Sequence, residues 1–398
     1  MRAHIAPRWH ARSALAALVA ATLLVGPGAP STILAQSPGR LVLGYYVPYD
    51  ATSWASLEAH ADQLDVVAAQ WVAIDACGNV SSRDDETLKQ FARQHGLKLV
   101  PSLFTLSGWL NHHVLTDEET TAHAVEQILS YTVGAGYDGF DVDLEGVDPA
   151  DRQALTDFVA VLGAALHDRG KLLTMAIPPK ERDVTVGWAG AYDYAALGGL
   201  ADLVTIMAYE YRGPFSGPGS VAPFGWVERV TAFATAQIAP EKVLLGLAFY
   251  GYDWNTTTGE ARSLGYRRAM SLAERFQAET LLDPEQRSLT FAYTASAGEP
   301  LPPEPPLTRV AHRVTVRPGA GCELEPPPPP PVPTRPPAPP AGTPQVHEVW
   351  LEESASAAAR LGVADTHRVR GVATWRLGLE DPQVWPVLDE WRQADQGA

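Results

Sequence analysis

Eight short apolar runs, rich in β-branched residues, recur along the chain, and this recurrence limits its fold more than any other feature. They fall at residues 41–47, 65–73, 98–104, 137–143, 172–177, 202–208, 243–249 and 371–375. Between most of them lie stretches with a helical pattern. Residues 84–94 and 117–132 open with acidic side chains, as a helix N-terminus prefers. Residues 150–168 carry Leu155, Phe158, Val159, Leu162 and Leu166 along one stripe, and 226–237 repeat the pattern. Near-continuous apolar strands alternating with amphipathic helices specify a parallel sheet covered on both faces. Eight such units in about 350 residues predict an α/β chain folded as a (β/α)8 TIM barrel. A doubly wound open sheet is the alternative. It normally needs fewer strands, and no G-x-G-x-x-G follows the first run.

The interval between the seventh and eighth runs, about 120 residues, exceeds what one helix needs. Within it, 264–276 reads as a helix, and 289–293 and 348–351 as strands. A small α+β subdomain over 256–352 is therefore expected between the seventh strand and the seventh helix, which residues 354–361 supply. Residues 300–344 hold 18 of the chain's 34 prolines. The stretch 299–345 is accordingly expected to be an extended or disordered excursion, unable to bury apolar surface or form a hydrogen-bonded ladder. A tolerated loop insertion is preferred over a spacer or a wall-penetrating arm.

Residues 1–36 read as a secretory signal. Arg2, Arg8 and Arg12 precede twelve apolar residues from Ala14 to Val25, and small residues follow. The run is short for a membrane span, so a secreted chain with no membrane attachment after cleavage is expected, its barrel domain covering 37–396. The formal charge of −16 argues against nucleic acid or an anionic membrane as partner. Cys77 and Cys322 have no metal-ligand spacing, and can pair or remain free. His112 and His113 are read as surface residues of a loop.

The densest chemistry lies in Asp138-Gly139-Phe140-Asp141-Val142-Asp143-Leu144-Glu145. Alternate side chains share one face of a strand, so Asp141, Asp143 and Glu145 form a column opposite Phe140, Val142 and Leu144. The apolar set belongs against helices, which turns the acids into the lumen. Packing alone does not select this, because adjacent buried carboxylates repel and lose hydration. A shared proton or a bound cation relieves the repulsion. No clustered ligands complete a metal shell, so no metal is expected. Glu145 falls at the C-terminal end of its strand, where barrel enzymes keep their chemistry.

This run resembles the D-G-x-D-x-D-x-E signature of glycoside hydrolase family 18. Met207-Ala208-Tyr209-Glu210 is similar to the family's M-x-Y-D. Residues 246–254 and 371–375 resemble its seventh and eighth strands. His347 to Glu352 and the glutamate at 210 resemble the branch of bacterial spore-cortex and cell-wall lytic N-acetylglucosaminidases. Two features differ from the common pattern: residues 102–109 lack S-x-G-G, and Glu210 stands where many members have Asp. The resemblance implies a retaining hydrolase of β-1,4 bonds in N-acetylglucosamine polysaccharide, chitin or peptidoglycan, working as a monomer without cofactor. Glu145 would be general acid and base, Asp143 would orient the substrate acetamide, Asp141 would share a proton with Asp143, and Tyr209 would bind the acetamide carbonyl. Trp375 would floor the cleavage subsite, with Glu210, Tyr45 and Trp109 as further substrate-binding residues. The rival from another class is a non-catalytic, lectin-like barrel, which needs no acid at 145; a metal-dependent hydrolase is a third reading.

Overall fold

The structure, a computed structural model, describes residues 39–300, 312–328 and 339–396. The expected signal segment, residues 1–36, and two parts of the proline-rich stretch lie outside the described residues. In chain order the first half comprises β1 (Leu41–Tyr46), α1 (Ala51–His60), β2 (Val66–Ile74), β3 (Val80–Asp85), α2 (Glu86–His95), β4 (Lys98–Thr105), α3 (Gly108–Thr116), α4 (Glu118–Gly134), β5 (Gly139–Leu144), α5 (Arg152–His167) and β6 (Leu172–Ile177). Then follow α6 (Tyr194–Leu200), β7 (Leu203–Ile206), α7 (Phe224–Gln237) and β8 (Val243–Ala248). The remainder comprises β9 (Tyr250–Asn255), β10 (Glu260–Gly265), α8 (Tyr266–Phe276), β11 (Leu281–Leu282), β12 (Leu289–Ser296), β13 (Val314–Arg317), β14 (Pro344–Leu351), α9 (Ser354–Thr366), β15 (Gly371–Trp375) and α10 (Val384–Gln396).

Among the described residues eight parallel strands run in the order β1-β15-β8-β7-β6-β5-β4-β2, and β1 also pairs with β2. The sheet thus closes, which excludes the open doubly wound alternative. All six residues of β1, β5, β6 and β8 are buried. A strand covered by helices outside and by lumen side chains inside has no wet face, which explains the unbroken apolar runs. Gly139 opens β5 because a Cβ there would collide with the Leu172 carbonyl of β6. The helices start on side-chain caps that recur in the sequence: Asp50, Asp85, Ser107, Asp117 and Asp193 each accept a backbone N–H of the first turn.

The expected insertion follows β8. A five-stranded antiparallel sheet, in the order β10-β9-β14-β12-β11, packs against α8 through Leu264, Leu272, Phe291 and Val349. Its strands run longer than the sequence suggests, and β9 already belongs to it. The amphipathic alternation of β12, with Phe291, Tyr293 and Ala295 buried and Ala292, Thr294 and Ser296 exposed, is that of a sheet with one wet face.

Three expectations need correction. Asp84 and Asp85 lie on strand β3, and the helix starts only at Glu86, because Asp85 serves as its cap, accepting from the Thr87 and Leu88 amides. His112 and His113 sit on helix α3 and not in a loop; His112 Nδ1 lies 2.9 Å from Asp151. The proline-rich stretch does form a ladder. Its proline-free interlude β13 adds antiparallel to β3, with Val314 opposite Asp85 and Arg317 opposite Ser82. A Val-Thr-Val run suits a pleated edge, and the flanking prolines do not interrupt those four residues. His312 reaches Asp85 at 2.5 Å, Arg317 Nε lies 3.5 Å from Asp84, and Cys77 is bonded to Cys322 across a Cα separation of 5.7 Å.

Candidate active site

The lumen is polar along a single row. Gln70 on β2 is in register with Ser102 on β4, Ser102 with Asp141 on β5, and Asp141 with Thr174 on β6. Neighbouring positions of parallel strands face the same way, so four polar side chains form a belt across four strands. Thr174 Oγ1 donates to Asp141 Oδ1 at 2.6 Å. Asp141 Oδ2, Asp143 Oδ1, Ser102 Oγ, Gln70 Nε2 and the Tyr45 hydroxyl make no hydrogen bond of good geometry among the described residues, though Ser102 and Tyr45 lie close enough to Asp141, and Gln70 to Asp143, to oppose the effect of burial on those acids. Unpartnered buried polar atoms cost about 1–3 kcal/mol each. So many in one place mark a surface shaped for something other than packing.

Asp141 and Asp143 are buried, at 0% and 3% exposure, while Phe140, Val142 and Leu144 fill the helix side of β5. Glu145 stands above them, half-buried, just past the end of β5. Its backbone is fixed on both sides: its N–H donates to the Thr105 carbonyl at 2.7 Å, and Asn111 Nδ2 donates to its carbonyl at 2.6 Å. Its carboxylate makes no hydrogen bond to a described residue and is free for a ligand. Burial first, and then the Glu210 charge, pushes its pKa up to about 7. Burial, then Glu145 and Asp141, pushes Asp143 well above the usual carboxylate range, and burial raises Asp141. The three acids therefore titrate as an interacting set.

Tyr209, Tyr45 and Glu210 complete the cluster. The Tyr209 hydroxyl is held protonated by burial and by the charges of Asp143, Glu145, Glu210 and Asp141 around it. Tyr45 is held likewise by burial and by Asp141 and Asp143. Glu210 has a left-handed backbone, φ 61°, an uncommon conformation for a residue with a side chain. Tyr250 and Tyr252, both on β9, donate to its Oε1 at 2.5 and 2.7 Å. A Cβ at Gly213 would lie 2.5 Å from its Oε2, so a larger residue there would displace the carboxylate. Trp375 ends β15, part-exposed and edge-on to Tyr45 with ring centroids 5.5 Å apart.

The structure thus brings Asp141, Asp143, Glu145, Tyr45, Tyr209, Glu210 and Trp375 together at the C-terminal mouth. Trp109 has no contact with the acids among those the described residues show. It sits at the start of α3, its ring 4.3 Å from that of His113. Sequence reasoning missed Gln70, Ser102 and Thr174, although each is a polar interruption of an apolar run, and it assigned no task to Tyr250 and Tyr252. It also missed the exposed aromatics of the mouth loops: Tyr49, Trp188, Tyr211 and Phe215, 46–75% exposed. Large apolar rings left in water on one rim mark a binding face.

Comparison with known proteins agrees with this geometry. The model of glycosyl hydrolases family 18 matches residues 41–380. An uncharacterized glycosylase of Bacillus subtilis, YvbX, is 22% identical over 352 residues, 86% of this chain and 89% of that protein. A cortical fragment-lytic enzyme of B. subtilis is 25% identical over 286 residues, 71% of this chain; this chain spans only 56% of that relative's length. The crystal structure of a chitinase from Chromobacterium violaceum superposes with a TM-score of 0.71 at 25% identity, covering 88% of this chain and 98% of that one. Carrying the family pattern over most of its length, on a closed barrel with a carboxylate column at its mouth, the chain belongs to glycosyl hydrolase family 18 and is a glycoside hydrolase.

Proposed function

We propose that the protein is a secreted retaining glycosidase that cleaves β-1,4 bonds of N-acetylglucosamine-containing polysaccharide with help from the substrate's own acetamide. The observation that carries this is the column on β5: a part-open acid whose pKa is pushed up to about 7, above two buried acids whose pKa values burial also raises. Glu145 is protonated often enough near neutral pH to give its proton to the glycosidic oxygen, and afterwards takes one from water. The acetamide oxygen attacks the anomeric carbon, so one carboxylate suffices where other glycosidases need two. Asp143 faces the acetamide nitrogen as positive charge develops there, and Asp141, with Thr174, holds the proton the pair shares. Tyr209 donates to the acetamide carbonyl. Trp375 offers a sugar face an apolar floor, backed by the buried ring of Tyr45. Glu210, fixed by two tyrosines, binds a neighbouring hydroxyl and raises the Glu145 pKa. Trp109 contributes a rim surface. A lectin would keep the aromatics but gains nothing from an acid poised near neutrality.

Export rests on the basic and apolar pattern of residues 1–36. The disulfide supports it, since such bonds persist in oxidising compartments.

Glu145→Gln is expected to leave the circular-dichroism spectrum native-like while lowering turnover of a chitooligosaccharide by about 10²–10⁴. Undiminished turnover refutes Glu145 as the acid. The first-formed product is expected to keep the anomeric configuration of the substrate. Inverted product, read by NMR immediately after mixing, refutes participation by the acetamide.

A further inference from the structure

A cavity of about 540 Å³ opens beside the carboxylate cluster, between the loop after β7, the start of α7 and the insertion subdomain. Two links tie it to the site. Arg212 lies two residues beyond Glu210, and Trp350, which lines the cavity, pairs across the sheet with Tyr252, whose hydroxyl holds Glu210. One wall is aromatic: Tyr211 lies 5.1 Å from Trp226, with Trp350 contributed by β14. The base is rigid. Ser220, 2% exposed, bonds to Ser288 and Glu352, and Glu352 forms a buried ion pair with Arg360 at 2.8 Å. Arg360 in turn holds the backbone carbonyls of Ala222, Gln286 and Arg287, which fixes both loops that border the cavity.

The charges here are unequal in availability. Arg229 is occupied by Glu181 at 2.5 Å, and Asp283 accepts the amides of its own turn, Glu285 and Gln286. Arg212 has no carboxylate partner among the described residues. Its stem packs on Gly219 and its guanidinium lies 5.6 Å from the Tyr211 ring centroid, so it is placed by packing and retains its donors for a ligand. Glu285, from the insertion loop, also lines the cavity. Arg212 is exposed at the cavity wall, so on a chain of formal charge −16 it offers a positive group that an anionic ligand in the cavity can reach.

We propose that this cavity holds a carboxylate-bearing substituent on the sugar adjoining the cleaved bond, with Arg212 as its counter-ion. This rests on the glycosidase reading and narrows its substrate. Chitin carries no carboxylate, whereas the alternate sugars of peptidoglycan carry a lactyl carboxylate, free or extended by a peptide. The volume suits a substituent of that kind, being within the range of small-ligand pockets, and a charge-assisted contact to a planar guanidinium discriminates against substrates that lack the anion.

The test compares kcat/KM on three substrates: a chitooligosaccharide, peptidoglycan strands with peptides intact, and strands stripped of peptides by an amidase. Relative to the chitooligosaccharide, Arg212→Ala is expected to lose about ten-fold on wall strands, mainly through KM, and Arg212→Lys to recover much of it. A loss confined to stripped strands identifies the lactyl carboxylate, which is an uncharged amide in intact strands; a loss confined to intact strands identifies the peptide carboxylates, and a loss on both identifies a site that accepts either anion. An equal change on all three substrates, or none, overturns the proposal. Calorimetry separates this from the catalytic reading. The muramoyl-containing disaccharide should bind Glu145→Gln protein more tightly than chitobiose does, and adding Arg212→Ala should remove the difference. If the unmodified protein cleaves neither polymer, the glycosidase reading fails while the calorimetric comparison still decides the cavity.

Discussion

Glu145 is unlike a typical surface glutamate in its proton affinity, and this has two consequences of opposite sign. As an acid it must be protonated to act, so kcat/KM is expected to fall as pH rises through about 7. A pH–rate profile checks this; an unchanged rate from pH 6 to 9 contradicts it. For stability, the folded chain holds a proton that the unfolded chain, with an ordinary glutamate, releases. Between the ordinary pKa of 4.5 and about 7, stability therefore falls as pH rises. Glu145→Gln removes that penalty. It is expected to raise stability at pH 8 by about 1–2 kcal/mol, allowing for the part-open position of the side chain, and to change little at pH 4, below both values. Denaturant titrations at the two pH values read the difference directly.

At the scale of elements, the pair Glu352–Arg360 ties the end of β14, helix α9, the loop after β7 and the insertion turn at Gln286–Ser288 into one unit. Burial raises the Glu352 pKa and lowers that of Arg360, in each case by more than their mutual attraction compensates. The pair is thus an organiser more than a source of net stability. Removing one partner is another matter: Glu352→Gln strands a buried guanidinium and is expected to cost about 3–5 kcal/mol. Chemical denaturation measures it, and a loss below about 1 kcal/mol contradicts the assigned role. The same scale shows what the sequence reveals. The barrel strands are legible because burial on both faces leaves an unbroken apolar run, and the column at 141, 143 and 145 because a period of two needs only the strand. The belt from Gln70 to Thr174 is not legible in that way, since register between distant strands sets it. Nor is the hold of Tyr250 and Tyr252 on Glu210, which depends on β9 folding back over the mouth. The ladder of β13 on β3 is hidden for a compositional reason: prolines on both sides mask four residues that pair well.

For the whole molecule, the insertion sheet and the barrel are linked twice, by the chain itself and by the stretch that carries β13 to β3 and the bond between Cys77 and Cys322. That bond spans 245 positions, so it restricts the unfolded chain strongly. Replacing both cysteines by serine is expected to lower stability by about 2–5 kcal/mol while the barrel, which needs neither, still forms. Thermal melts with near-ultraviolet dichroism test this; an unchanged melting temperature contradicts it. Once both thiols are lost, four ladder residues, the hydrogen bonds of Arg313 to Glu86 and Thr87, and the contacts of His312 and Arg317 are left to hold this arm to the rim. Protein matured in a reducing cytoplasm and protein matured outside the cell would then share one sequence and one barrel yet differ in how the arm is fastened. Preparations from the two sources are best regarded as distinct species until their thiols have been counted.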